Sequence, residues 1–259
     1  MNASRESASD EFWQPLEVAL SEMGELIVST DPFPKHLRGI DENESGFGAR
    51  FLIGLVHFFD LSQSGSTAFL LMLARQGWYP GGDMPLGILS EGTTLLSNAE
   101  EEGNKLLAEY FRSKLDSLEN DLSSRHPDHA DAIRQTWQAH RVESYYVSVP
   151  SFLILAEAIA KDRGLPSPYS KPGRQKAMKD ALLSRDEFRA VVGLLAPLLV
   201  SVPFDWNPYQ RKLYGNPALN RHLILHGECS DYGTEMNSLR TLSHLAYVSD
   251  ILNTYTVSR

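Results

Sequence analysis

Cysteine is nearly absent: Cys229 is the sole thiol among 259 residues, which excludes an internal disulfide and any cysteine-rich zinc site. Long apolar runs are missing too. The uncharged stretch from 191 to 204 is too short to span a bilayer and is interrupted by Pro197 and Pro203, so no membrane span is expected. Met1–Asp10 has no apolar signal core, and acidic residues follow at once, which points to a cytoplasmic chain. Strand signals are scarce. Several catalytic signatures are absent as well. Ser62-Gln-Ser-Gly-Ser66 is not a nucleophile elbow and reads as a turn with a helix cap, and Gly81-Gly82 lacks the lysine of a phosphate loop. There is no internal repeat and no low-complexity segment.

Basic residues are outnumbered, 24 against 33 acidic, for a net charge of −9. A chain of that sign is not a general nucleic-acid binder. The charge is uneven: residues 1–159 carry 11 basic and 24 acidic side chains, whereas 160–225 carry 11 basic and 5 acidic. The basic stretch from Lys161 to Arg221 suits either a phosphate backbone or a solvated helical surface.

What is present is helical spacing. Phe12, Leu16, Leu20, Met23 and Ile27 recur every three or four residues, and Phe51–Leu61 and Thr67–Gln76 read as buried helical segments. The stripe Leu96, Leu107, Tyr110, Phe111, Leu118 and Leu122 predicts a long amphipathic helix. The turn at His126-Pro-Asp-His129 then returns the chain through Ile133 and Trp137, giving a hairpin from about 92 to 143. Tyr145–Val149 resembles a strand, but Pro150 and the apolar run from 152 to 159 favour a helix start. Ser184-Arg-Asp-Glu187 is a capping box opening a helix to Val200. Asn216-Pro217 is placed to begin a short helix ended by Gly227. Thr234 is placed to cap a final helix with Met236, Leu239, Leu242, Leu245 and Ile251 inward. The Pro/Gly/Lys-rich stretch from 164 to 176 is expected to be a functional or mobile loop. The class expected is all-α.

One constellation carries chemistry: Asn220-Arg-His-Leu-Ile-Leu-His226-Gly227. His222 and His226 stand four apart on a helix, with Arg221 beside them. Imidazole exchanges protons near neutrality, and guanidinium grips phosphate through two hydrogen bonds. The bland alternative is a structural histidine and an arginine in a salt bridge. A metal site is a second alternative, since Glu228, Cys229 and Asp231 follow, but no glutamate lies between the histidines as in H-E-x-x-H. Trp206, Tyr209 and Tyr214, interleaved with Arg211 and Lys212, can either stack bases or fill core. Cys229 reads as structural.

The spacing Arg221-(x4)-His226 resembles the R-x4-6-H signature of the HEPN superfamily. The block Asn220–Gly227 followed by Asp231-Tyr-Gly-Thr234 resembles a recurrent ending of bacterial HEPN-like proteins, and Val149–Glu157 is similar to the helix that supplies an acidic residue there. The likeness spans roughly residues 145–259. It implies a HEPN-like four-helix bundle in 144–259 after a helical N-terminal region in 1–143, with homodimerisation around a shared groove. It further implies a metal-independent, cofactor-free endoribonuclease of a toxin–antitoxin or antiviral defence system, or an inactive relative that binds RNA or a partner protein. Carried over by position, Arg221 and His226 match the catalytic pair, His222 the polar site beside it and Glu157 a supporting acid. Asn220, Arg211, Lys212 and Tyr232 are the residues expected to contact RNA.

Overall fold

The computed structural model describes residues 63–81, 84–165, 167–169, 196–199, 203–206, 208–214 and 219–254. The helices expected around Phe12–Ile27 and Phe51–Leu61, the Ser184 capping box and the start at Asn216 lie outside the described residues. Those described form an all-α protein with no strand among them. Its elements are α1 (Gln63–Arg75), α2 (Leu86–Asn98), α3 (Glu100–Ser113), α4 (Leu115–Arg125), a 3-10 turn (Pro127–His129), α5 (Ala130–Arg141) and α6 (Tyr145–Asp162). After them come α7 (Ala196–Leu199), a 3-10 turn (Pro203–Asp205), α8 (Pro208–Tyr214), α9 (Arg221–Leu225) and α10 (Glu235–Thr254). None of these helices is long and apolar enough to cross a membrane.

The stripe expected to form one long helix is broken twice. Ala99 leaves helical geometry (φ −151°, ψ 72°), so three successive glutamates, Glu100–Glu102, open a new helix at its positive end. The chain thereby folds α2 back on α3, and two glycines permit the contact. A Cβ on Gly103 would lie 2.6 Å from the Leu96 backbone nitrogen, and one on Gly92 3.1 Å from Leu107 Cδ2. A second bend at Lys114 separates α3 from α4. Beyond the 127–129 turn, α5 returns antiparallel to α4, with Ile133 and Trp137 fully buried.

Pro150 falls inside α6 rather than at its start. Proline has no N–H, so the carbonyl of Tyr146 loses its helical donor. The Tyr232 hydroxyl donates to that carbonyl at 3.4 Å, and the Tyr146 hydroxyl donates back to the Ser230 carbonyl at 2.9 Å. The two rings meet edge-on at 5.2 Å. Tyr146 lies so close to Gly233 that a Cβ there would stand 2.5 Å from its ring. The Asp231-Tyr-Gly-Thr234 turn is therefore tied to the first turns of α6.

Among the described residues helix α10 packs against α6, α3 and α4. As expected, Thr234 caps it, accepting from Asn237 N at 3.2 Å, and Leu239, Leu242, Leu245 and Ile251 point inward. Its other faces are buried too, which the amphipathic reading did not anticipate. Ser238, Thr241, Ser243, His244 and Ser249 are all in the interior. Small hydroxyl residues let neighbouring helices close in, and each polar group has a partner. Ser238 Oγ meets Ser148 Oγ at 2.6 Å and His140 Nδ1 at 2.9 Å, while Ser249 Oγ meets His126 Nε2 at 2.7 Å. One hydrophobic core runs from Leu73 to Leu252 and takes residues from both sides of position 143.

Candidate functional site

The site is organised by a five-residue helix, α9. Its N-cap is Asn220, whose Oδ1 accepts from Leu223 N at 3.2 Å. The Asn220 amide nitrogen donates to the carbonyls of Pro203 (2.9 Å) and Trp206 (3.0 Å). The side chain is fully buried. It therefore anchors the helix to the 203–206 turn and has no surface to offer RNA. Gly227, at φ +71°, ends the helix in the left-handed conformation that glycine accepts freely.

Arg221 turns towards α6. Its Nη2 donates to Glu157 Oε2 at 2.5 Å, and Lys161 Nζ holds the other carboxylate oxygen at 3.1 Å. Glu157 is only 13% exposed. Burial by itself would raise its pKa, but the Lys161 hydrogen bond, the Arg221 charge and a Ser167 hydrogen bond outweigh burial and hold the carboxyl below its ordinary range. The guanidinium carbon stands 5.5 Å from the Tyr169 ring centre, and Arg221 Nε is buried with no hydrogen-bond partner. Tyr169 is pinned in turn, its hydroxyl 3.0 Å from Nδ1 of the buried His244. Burial pushes the His244 pKa down to about 3, so that imidazole is neutral.

The histidines point elsewhere. Five positions apart on a helical path, Arg221 and His226 are offset by about 140°, whereas His222 and His226 share a side. Their rings lie 4.4 Å apart, both residues are exposed, and His222 Nε2 is 3.7 Å from Glu228 Oε1. The helix thus presents two imidazoles outward and one arginine sideways into a carboxylate. Arg211, half-buried, donates through Nη1 to the Trp206 carbonyl at 2.9 Å, and Lys212 and Tyr209 are exposed. Trp206 is buried core. Tyr232 is half-buried and engaged with Tyr146. Cys229 donates to Asp231 Oδ1 at 2.9 Å, and burial and that contact push its thiol pKa up, away from a reactive thiolate. His129 pairs with Asp162 at 2.6 Å across the 127–129 turn. Among the described residues no cluster of three or more His, Cys, Asp and Glu side chains is arranged to hold a metal ion.

Sequence spacing did not point to Tyr169 or Lys161. Tyr169 sits in a stretch that reads as loop, and Lys161 reads as surface charge. Their use follows from α9 docking on the C-terminal end of α6. The class that fold and site define is an all-α protein with a carboxylate-held arginine beside an exposed histidine pair. The chain matches no family model, no curated protein and no solved structure.

Proposed function

We propose that the protein is a metal-independent, cytoplasmic endoribonuclease of the HEPN type, an effector of a toxin–antitoxin or antiviral defence system restrained by a partner protein. The observation that carries this reading is the arrangement on α9: a guanidinium held in one rotamer by Glu157 at 2.5 Å, next to two exposed imidazoles 4.4 Å apart. A ribose 2′-oxygen attacks the adjacent phosphorus, and the bond from phosphorus to the 5′ oxygen breaks, leaving a 2′,3′-cyclic phosphate. His226 takes the 2′-hydroxyl proton or protonates the departing 5′ oxygen, with His222 beside it as exchange partner. Arg221 neutralises the non-bridging oxygens, and Glu157 fixes its position.

The reading includes a homodimer. Val147 and Ile154, seven residues apart on one face of α6, are 56% and 53% exposed, and Tyr146 and Val142 extend the apolar patch. That face leads along α6 to Glu157, so a second copy docked on it brings two α9 helices to one groove.

A second reading, an inactive RNA- or partner-binding module, is favoured by one observation. The Arg221 guanidinium is already committed to Glu157 and Tyr169. Incubating the purified protein in EDTA with a single-stranded RNA and the matching DNA separates the two. The nuclease cleaves RNA only, leaves cyclic phosphate ends, and loses activity by about a hundredfold or more in His226→Ala and Arg221→Ala. Cleavage of DNA, or full activity in both variants, would overturn the mechanism. RNA retention without cleavage selects the second reading.

A further inference from the structure

A groove away from α9 holds a largely buried guanidinium with no ion-pair partner among the described residues. On α3, Glu101, Lys105, Ala108 and Arg112 recur every three or four residues and share a face. Across from them stand Met236 and Arg240, one turn apart on α10. Ala108 contributes only a methyl group, so the helices leave a cavity of about 580 Å³ between them. This size suits a small-molecule ligand.

Arg240 is mostly buried at the edge of this space. Its Nη2 donates to Asn104 Oδ1 at 2.7 Å, its Nη1 lies 3.4 Å from Asn237 Oδ1, and its Nε is buried without a partner. The guanidinium carbon lies 5.6 Å from the Trp78 ring centre. The Asn104 oxygen is shared, since Trp78 Nε1 also donates to it at 2.8 Å. These partners are neutral, and no carboxylate among the described residues pairs with Arg240. Other arginines behave differently. Arg112 is neutralised by Glu235 at 2.8 Å and Arg141 by Asp116 and Glu119, and those contacts raise both pKa values. Burial instead lowers that of Arg240 to about 10, opposed only in part by the Glu100 charge, which still leaves it charged at neutral pH. A buried charge ordinarily has a counter-charge. Lys105, exposed on the same groove, has no carboxylate partner among the described residues either.

We propose that the groove between α3 and α10 binds a small, hydroxyl-bearing phosphate monoester, its dianion seated between Arg240 and Lys105. Neither cation is in a direct ion pair with a described carboxylate, so both remain available to a ligand, and a phosphate monoester, with two negative charges, can meet both at once where a carboxylate carries only one. Arg112, already paired, is left to line the wall. Glu100 and Glu101 repel the phosphate from their end of the groove and accept hydrogen bonds from hydroxyls of the ligand body. None of these residues belongs to the α9 site, so the proposal stands or falls independently of the ribonuclease reading.

Calorimetric titration of the full chain at low salt with ribose 5-phosphate, ribose and inorganic phosphate tests it. The phosphate ester binds, ribose does not, and inorganic phosphate binds at least tenfold more weakly than the ester, by about the worth of the lost hydroxyl contacts. Arg240→Met lowers affinity for the ester by about thirtyfold or more. The same variant keeps its melting temperature, because Asn104 retains the Trp78 donor and a buried charge without a direct ion pair is gone. Absence of ester binding by the wild type, ribose binding as tightly as the ester, or unchanged affinity in Arg240→Met overturns the proposal. Should Arg240→Met fail to fold, Lys105→Glu, on the surface, decides: the ester's affinity falls severalfold, and an unchanged value overturns the proposal.

Discussion

Glu157 holds two cations at once, Arg221 at 2.5 Å and the more exposed Lys161 at 3.1 Å, on a carboxylate that is itself mostly buried. Removing one member of such a set costs more than the pair contributes, because the remaining charge keeps its desolvation penalty without its partner. Glu157→Gln is therefore expected to lower unfolding free energy by about 1–3 kcal/mol, as read by urea denaturation at pH 7. The amide can still accept one hydrogen bond from Arg221, so Glu157→Ala falls at the upper end of that range. Because the Glu157 pKa is held below its unfolded value, the contribution is complete above the unfolded carboxyl range and disappears as pH falls through the folded value. Wild type and Glu157→Gln should thus converge in stability at the acid end of the titration. A constant gap down to that end refutes the assignment of the stabilisation to the carboxylate charge. At this scale the site was partly legible. Arg221, His222 and His226 are visible as an unusual cluster on an apolar helix, whereas Glu157, 64 residues from Arg221, is named in the sequence only through a family resemblance, and the docking of α9 on α6 is what joins the two.

Among the elements, α9 is too short to hold itself together. Five residues cannot nucleate a stable helix, so the cap and its tertiary ties must do so. Asn220 supplies one acceptor to the helix and two donated bonds to the 203–206 turn. Asn220→Ala removes all three and strips the Pro203 carbonyl of its donor, while the Trp206 carbonyl keeps Arg211, for an expected loss of about 2–4 kcal/mol. Asn220→Asp keeps the acceptor yet loses the donors, and should be intermediate or worse, since it also buries a charge. Equal melting temperatures for wild type and Asn220→Ala would show that α9 is held by something else. The close contact of α2 with α3 offers a second test. Gly103→Ala puts a methyl group against the Leu96 backbone, with an expected cost of about 1–3 kcal/mol, whereas Gly87→Ala, with open space around it, should be neutral or stabilising. The all-α class, the return at Pro127 and the Thr234 cap follow from spacing and capping chemistry, which are local. The break at Ala99 does not, because a continuous apolar stripe is also what two helices sharing one core produce. Pro150 misled for a related reason: proline signals a helix start unless another group, here the Tyr232 hydroxyl, takes over the carbonyl it strands.

At the scale of the whole molecule, three histidines among the described residues lie in the interior, His126, His140 and His244, and the pH dependence of stability should report them. None of this is visible in the sequence, where histidine spacing favours surface or site. Burial is decided by how many helices surround α10, a property of the complete packing. His244 is pushed down to about 3 by burial, His126 to about 4 by burial together with the Arg163 and Arg125 charges, and His140 is lowered chiefly by burial. Each is neutral in the fold, while the unfolded chain binds protons at about pH 6.5. Above that value neither state is charged and stability is flat. Below it the unfolded state takes up protons that the folded state refuses, so stability falls by about 1.4 kcal/mol per pH unit for each such histidine, until the folded pKa is reached. Urea midpoints measured at pH 7, 6 and 5 should therefore drop steeply and progressively. His126→Gln, which keeps a hydrogen-bonding group facing Ser249 and cannot titrate, should remove one histidine's share of that slope. Midpoints that stay level from pH 7 to 5, or an undiminished slope in His126→Gln, would mean that the interior imidazoles are not what couples this fold to protons.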